Sequence, residues 1–243
     1  NCAGYCSDEV ANHTIMFLLA CSKRLIPLDK LVKNGEWTST TVKTLFPMPA
    51  IYGQTLGLVG FGNIGRHVSR KAKAFGINVK VYDPYLEPWI AQEYEIERLG
   101  SLESLGAESD YVSMHVPLNS ETQGLADAAL FKSMKPTGYF INTCRGSTHN
   151  ESDLISALNN KEMAGAALDV FEVEPTPKSN PLLLMENVIV SPHSAGTSDN
   201  SSRDGRERLG EEAARVLMGM YPMSLVNPAV RTKIPLRNPA KSL

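Results

Sequence analysis

The chain has little of what would place it in a membrane, in a metal site or on nucleic acid. Its apolar run from Ile15 to Cys21 is far shorter than the roughly 20 residues that span a bilayer. Its first residues do not follow the basic, apolar, small-residue order of a secretory signal, so the expectation is a cytoplasmic protein with no membrane partner. Cysteine is scarce. Cys2, Cys6, Cys21 and Cys144 show no CxxC spacing and no paired histidine ligands, which argues against a zinc site or a disulfide framework and for reduced thiols. A charge surplus is missing as well. Lys plus Arg number 24 against 26 Asp plus Glu, a net charge of -2, so no global field favours nucleic acid or an anionic membrane. Any anion has to be bound by a local site. With 42% hydrophobic and 21% charged residues, the 243-residue chain has ordinary globular composition and room for one large domain or somewhat more.

Ser7 before Asp8 and Glu9 reads as a helix start, and Val10 to Leu25 is apolar on most faces, as in a buried helix that Pro27 ends or bends. From Lys30 to Pro49 the chain turns polar, with Asn34-Gly35 and prolines, which predicts a short helix and an excursion from the core. A regular alternation follows. Strands are expected at Thr55–Val59, Asn78–Tyr82, Tyr111–Val116, Gly138–Asn142, Gly165–Val170 and Val188–Val190, with helices between several of them, the first over Ile64–Phe75. Strands alternating with helices imply an α/β fold, a doubly wound parallel sheet covered on both faces. The stretch from Ser201 to Met220 carries Leu209, Ala213, Val216, Leu217 and Met220 at helical spacing until Pro222. The tail to Leu243 is rich in Pro, Lys and Arg and reads as irregular.

Gly60-Phe61-Gly62-Asn63-Ile64-Gly65 is a GxGxxG motif between the first strand and its helix. In that context the first glycine permits a tight turn, the second lets backbone approach a pyrophosphate, and the third lets helix and strand pack closely. The helix start offers unpaired N–H groups to the anion. The plain alternative is a glycine-rich turn. Asp83 ends the second strand about 20 residues further on, where an acid accepts hydrogen bonds from the adenosine ribose hydroxyls. Its carboxylate would repel a 2'-phosphate, and Pro84-Tyr85-Leu86 supplies no cation to neutralise one, so NAD is expected over NADP.

Three later segments put polar residues at strand ends, where open α/β sheets hold their ligands. They are Asn142-Thr143-Cys144-Arg145-Gly146, Leu168 to Pro175 and Ser191-Pro192-His193-Ser194-Ala195-Gly196. With GNIGR, HVPL, NTCRG, LDVFEVEP and PHSAG in one order, the chain resembles the D-2-hydroxyacid dehydrogenase family from about Cys6 to Pro228. That family includes phosphoglycerate, D-lactate and formate dehydrogenases and glyoxylate/hydroxypyruvate reductases.

The resemblance implies an NAD-dependent oxidoreductase that moves hydride between nicotinamide and a small 2-hydroxy or 2-keto acid. It makes Arg145 the group that binds the substrate carboxylate and polarises the keto oxygen, which suits a planar guanidinium fork. It makes His193 the general acid/base and Glu174 its carboxylate partner, chosen over Glu172 because the family's acid directly precedes proline. Asp169 corresponds to an aspartate near the nicotinamide. His115-Val116-Pro117 matches the loop beside the cofactor, and Thr143, Cys144, Ala195 and Gly196 belong to the remaining cofactor loops. Singly, Arg145 could be a surface cation, Glu174 half of a loop ion pair and His193 a satisfied loop histidine. His13 and His67 read as helix-face residues, and His149 has no comparable context.

There are departures from the family pattern. Ser147-Thr148-His149-Asn150-Glu151 replaces the usual residues after the arginine, although Asn150 can still cap a helix with Glu151 and Asp153 in its first turn. Cys144 stands where alanine is common and reads as packing. The implied organisation is an interdomain helix over 1–27, an NAD-binding domain over 28–196, and a C-terminal helix and tail over 197–243. The family's first hundred or so residues build most of a second domain, and this chain opens with Asn1-Cys2-Ala3-Gly4 just before the matching helix. The substrate domain is therefore expected to be mostly absent and the chain alone poorly active. A homodimer is expected as well, because Trp37, Val42, Leu45 and Phe46 lie where family members embrace a partner. The rival from another class is an NAD(H)-sensing corepressor of the C-terminal-binding-protein type. A different dinucleotide enzyme, such as an adenosylhomocysteine hydrolase, is disfavoured by NTCRG and LDVFEVEP.

Overall fold

Seven strands form one wholly parallel sheet in the computed structural model, which describes residues 2, 4–45, 47–234 and 236. They are β1 (Thr55–Val59), β2 (Asn78–Tyr82), β3 (Glu97–Arg98), β4 (Tyr111–Met114), β5 (Tyr139–Asn142), β6 (Gly165–Leu168) and β7 (Val188–Val190). The order β3-β2-β1-β4-β5-β6-β7 reverses direction between β1 and β4, the switch point at which such sheets open a crevice. The chain divides into two compact units, Val10–Ala195, which holds the sheet, and Asn1–Glu9 with Gly196–Leu243.

Alternate residues of each strand build two cores, one per face. Leu56, Leu58, Val81 and Ile141 pack with Phe17 and Leu18 of α1 (Ser7–Ser22) and with Val68 and Ala72 of α3 (Asn63–Ala74). On the other face Val59, Met114, Phe140 and Leu168 pack with Leu105 of α5 (Leu102–Glu108), Phe131 of α6 (Ala128–Ser133) and Leu154 of α7 (Glu151–Asn159). Phe140 and Phe131 meet edge to face at 5.1 Å between ring centroids. Truncating a ring of this kind to alanine typically costs about 3–5 kcal/mol.

Local chemistry sets the helix starts. Ser101 caps α5, Asp127 caps α6, and Asn150 caps α7 by accepting from Asp153 N, with Glu151 and Asp153 in the first turn. Several boundaries differ from expectation. The strands at 111 and 165 are shorter, because His115, Val116, Asp169 and Val170 lie beyond the strand ends, and the strand at 138 begins one residue later, at Tyr139. Pro27 does not end the first helix. That helix stops at Ser22, Arg24 adopts a left-handed φ of 52°, and Pro27 sits in the first turn of a new helix, α2 (Leu25–Lys33), where a missing N–H costs nothing. Two elements gave no periodic signal: β3, which is two charged residues on the sheet edge, and α4 (Pro88–Glu93), a helix of less than two turns.

The excursion after α2 holds a short 3-10 helix, Thr41–Leu45, and leaves Trp37 76% exposed. Phe46 lies outside the described residues. In the other unit, α8 (Asp199–Leu217) opens with a reciprocal capping box between Ser198 and Ser201. Its Leu209, Val216 and Leu217 are exposed. The tail, read as irregular, instead carries a short 3-10 helix, Pro228–Thr232, whose start Asn227 caps by accepting from Ala229 N; residues 235 and 237–243 lie outside the described residues. Among the described residues no helix is long and apolar enough to cross a membrane, and no group of His, Cys, Asp or Glu could hold a metal ion.

Candidate active site

The site begins as a straight line across the sheet. Tyr82, Val59, Met114, Asn142, Leu168 and Val190 are successive register partners from β2 through β7. The next residue in each strand is Asp83, Gly60, His115, Thr143, Asp169 or Ser191. Parallel pairing therefore delivers the carboxyl ends of six strands to one edge, and every polar motif singled out in the sequence leaves from it.

At the β1/β4 switch point the glycine loop lines a cavity of about 380 Å³ together with Asp83, Tyr85, His115, Val116, Pro117 and Glu121. A Cβ on Gly65 would lie 2.6 Å from Gly60 O, so the third glycine is set by the close approach of the helix to the loop that leaves β1. A Cβ on Gly62 would meet nothing within 4 Å, which leaves the loop backbone open to a ligand. Asp83 holds the loop in place: one carboxylate oxygen accepts Phe61 N at 2.9 Å and the other accepts Tyr85 N at 2.9 Å. Tyr85 donates its hydroxyl to Glu121 at 2.7 Å. Glu121 and Tyr85 are lining residues that sequence reasoning missed. The only signal was Glu121's place shortly after HVPL, which says nothing about which way a loop folds back. Among the described lining residues none is Lys or Arg. His115 is buried, with Nε2 2.9 Å from Ser113 Oγ, and burial pushes its pKa down to about 3, so its ring is neutral.

On the β6 and β7 side, His193 Nδ1 lies 2.6 Å from Glu174 Oε2. Glu174 Oε1 accepts Phe171 N at 3.0 Å. Burial alone would raise the Glu174 pKa, but the hydrogen bonds from His193 and Phe171 outweigh it and hold the carboxyl below its usual range. Glu172 is occupied elsewhere, accepting Glu151 N while its own N–H donates to Glu151. His193 carries a left-handed φ of 52°, a conformation costly for a residue with a Cβ. Asp169, whose side chain is fully buried, holds it there. Its carboxylate accepts Ser194 N at 2.9 Å, Ala195 N at 2.8 Å and the Ser191 hydroxyl, and its carbonyl accepts His193 N at 2.8 Å.

Arg145, following β5, is exposed, and its Nη1 donates to Cys144 O at 2.5 Å. Thr143 and Cys144 are buried; the Thr143 hydroxyl meets Thr14 at 3.0 Å, and the Cys144 thiol meets Asn142 Oδ1 at 3.1 Å. Gly196 is the first residue of the other unit's second segment. Two histidines make contacts that the sequence did not reveal. His13 lies in helix α1 as read, and its Nε2 is 3.0 Å from Ser191 Oγ. His149 is buried, accepts from Asn142 Nδ2 at 2.9 Å, and has its pKa pushed down to about 4 by burial.

The model of the D-isomer specific 2-hydroxyacid dehydrogenase NAD-binding domain matches residues 15–195. The chain is 36% identical over 230 residues to a glyoxylate reductase of Korarchaeum cryptofilum, covering 95% of this chain and 69% of that protein. It is 34% identical over 221 residues to a D-3-phosphoglycerate dehydrogenase of Methanocaldococcus jannaschii, covering 91% of this chain and 41% of that one. Among solved structures, it superposes on an acyclic imino acid reductase in complex with NADPH and D-Arg with a TM-score of 0.82 at 28% identity, covering 93% and 70% of the two chains. The D-lactate dehydrogenase of Lactobacillus jensenii with NAD+ gives 0.81 at 25% identity, again covering 93% and 70%.

Proposed function

The chain belongs to the D-isomer specific 2-hydroxyacid dehydrogenase family, and on that premise we propose that it interconverts a small 2-keto acid and its D-2-hydroxy acid, with NAD(H) preferred to NADP(H). The observation that carries this reading is the 2.6 Å pair of His193 and Glu174, set on the same sheet edge as the glycine crevice.

The crevice suits a dinucleotide. The open space at Gly62 admits a pyrophosphate against the loop backbone, and Asp83 with Glu121 can accept ribose hydroxyls. The same two carboxylates, with no cation among the described lining residues, disfavour a 2'-phosphate. A nicotinamide dinucleotide bound there supplies or accepts the hydride.

The remaining chemistry belongs to the chain. Arg145 keeps guanidinium donors beyond the one on Cys144 O, and these grip the substrate carboxylate and polarise its keto oxygen. With Nδ1 committed to Glu174, His193 exchanges a proton with the substrate oxygen through Nε2. Such proton transfer by a placed group is typically worth about 10² to 10⁴ in rate. The family resemblance makes a homodimer the expected assembly, with Trp37, exposed in the excursion after α2, as the residue that would meet the partner.

The test is NADH oxidation by the complete protein with a panel of glyoxylate, pyruvate and hydroxypyruvate. Turnover of at least one is expected, falling by at least two orders of magnitude in His193→Ala with NADH affinity unchanged. Tight NADH binding without turnover on any of them would instead favour an NAD(H)-responsive binding protein.

A further inference from the structure

Two successive residues of α1 reach the two loops that carry the proposed chemistry. Thr14 Oγ1 lies 3.0 Å from Thr143 Oγ1, two residues before Arg145. His13 Nε2 lies 3.0 Å from Ser191 Oγ, two residues before His193. Thr143 follows β5 and Ser191 follows β7, so the two contacts are separated by two strand spacings, about 10 Å.

Thr14 donates its hydroxyl proton to Val10 O at 2.9 Å, so its oxygen accepts from Thr143. Ser191 has one proton and gives it to Asp169, so its oxygen accepts from His13, whose N–H must be on Nε2. Burial lowers the His13 pKa, against the opposing pull of the nearby Asp169 carboxylate. The result is a one-way chain from His13 through the Ser191 hydroxyl to the Asp169 carboxylate. That carboxylate in turn accepts Ser194 N and Ala195 N and so sustains the left-handed backbone at His193.

We propose that His13 and Thr14 are positioning residues that lock the His193 loop and the Arg145 loop into one register from a single helix, His13 through Ser191 and Asp169 and Thr14 through Thr143. Neither touches the reacting atoms. The catalytic consequence rests on the function proposed above, but the positioning itself does not. If His13 loses its donor, the Ser191 hydroxyl is free to rotate away, Asp169 loses a partner, and the His193 backbone relaxes from φ 52°. Small displacements of reacting groups cost up to about a hundredfold in rate.

The experiment compares His13→Leu, which fills the space without a donor, with His13→Gln, which restores an N–H near the Nε2 position, and Thr14→Val with Thr14→Ser. One readout is the downfield proton resonance of His193 Nδ1–H in its 2.6 Å bond to Glu174, recorded in the complete protein. The other is steady-state reduction of a 2-keto acid by NADH. His13→Leu is expected to shift or broaden the resonance and lower kcat by about tenfold or more with NADH affinity unchanged, and His13→Gln to restore both. Thr14→Val is expected mainly to raise KM for the keto acid, through Arg145, and Thr14→Ser to restore it. Should His13→Leu not fold, Ser191→Ala breaks the same relay without touching α1 and must give the same resonance change. A wild-type resonance and kcat in folded His13→Leu and Ser191→Ala would overturn the proposal. If the wild-type protein reduces no keto acid, the resonance alone decides positioning, and only the functional reading falls.

Discussion

Gly146 and Phe171 meet backbone to backbone, so closely that a Cβ on Gly146 would lie 1.8 Å from the Phe171 carbonyl oxygen. This contact joins the loop after β5, with Arg145, to the loop after β6, with Glu174. Neither side can yield by rotating a side chain. Gly146→Ala is therefore expected to lower stability by about 1–3 kcal/mol and to cut kcat/KM at least tenfold, because the backbone beside Arg145 has to move. Urea unfolding and steady-state kinetics check this, and unchanged values for both would show that the loops are less tightly seated.

Glu174→Gln tests the partner of His193. The glutamine oxygen can still accept Phe171 N, but its amide then faces His193 Nδ1 with a donor and favours the wrong tautomer. A kcat loss of about 10² to 10⁴ is expected with NADH binding unchanged, as measured by fluorescence titration. A variant with more than a tenth of wild-type turnover would count against the assignment.

The acidic lining of the crevice can be relieved. Asp83→Ser combined with Glu121→Gln is expected to improve the NADPH-to-NADH affinity ratio by at least tenfold, by removing two carboxylates near the ribose. Equal Kd values for the two cofactors in the wild-type protein would already sink the idea.

Acid should destabilise the fold through two buried histidines. His115 and His149 stay neutral in the folded protein, with pKa values pushed down to about 3 and about 4, and regain the ordinary 6.5 on unfolding. Below pH 6.5 the unfolded chain binds the extra protons, so stability falls as pH drops toward 4 and is fully present above 6.5. From pH 7 to pH 5 each group should cost about 2 kcal/mol. Denaturant titrations at the two pH values measure the loss, and His149→Gln should remove about half of it.

Trp37 is the probe for self-association. Sedimentation of the wild-type protein at micromolar concentration is expected to give a dimer, and Trp37→Glu a shift toward monomer. A monomeric wild-type mass would reject the reading.

Much of this architecture is written in local pattern. The β-branched strand at Asn78–Tyr82, the GxGxxG between strand and helix, the Asn150 cap and the polar strand ends are short-range signals, and each answers to a backbone need within a few residues. They were enough to anticipate a parallel sheet with the polar motif loops at its carboxyl edge. Boundaries failed where a local rule had two outcomes: Pro27 can stop a helix or open one, and the left-handed turn at Arg24 decided for opening. Edge strand β3 carried no hydrophobic period because so little of it is buried.

Residue chemistry alone could not separate Glu172 from Glu174, since both are carboxylates on one loop; the family pattern chose Glu174, and in space it is Glu174 that lies on His193 while Glu172 faces Glu151. His13 and Ser191 are 178 positions apart, and nothing in the residues around either names the other. The sequence by itself determined six of the strands, their alternation with helices and the polar segments that follow them, because those follow from periodicity and turn chemistry. Only the tertiary structure decided which loops touch and which helix holds them, because hydrogen bonds between distant segments exist only once both faces of the sheet are packed.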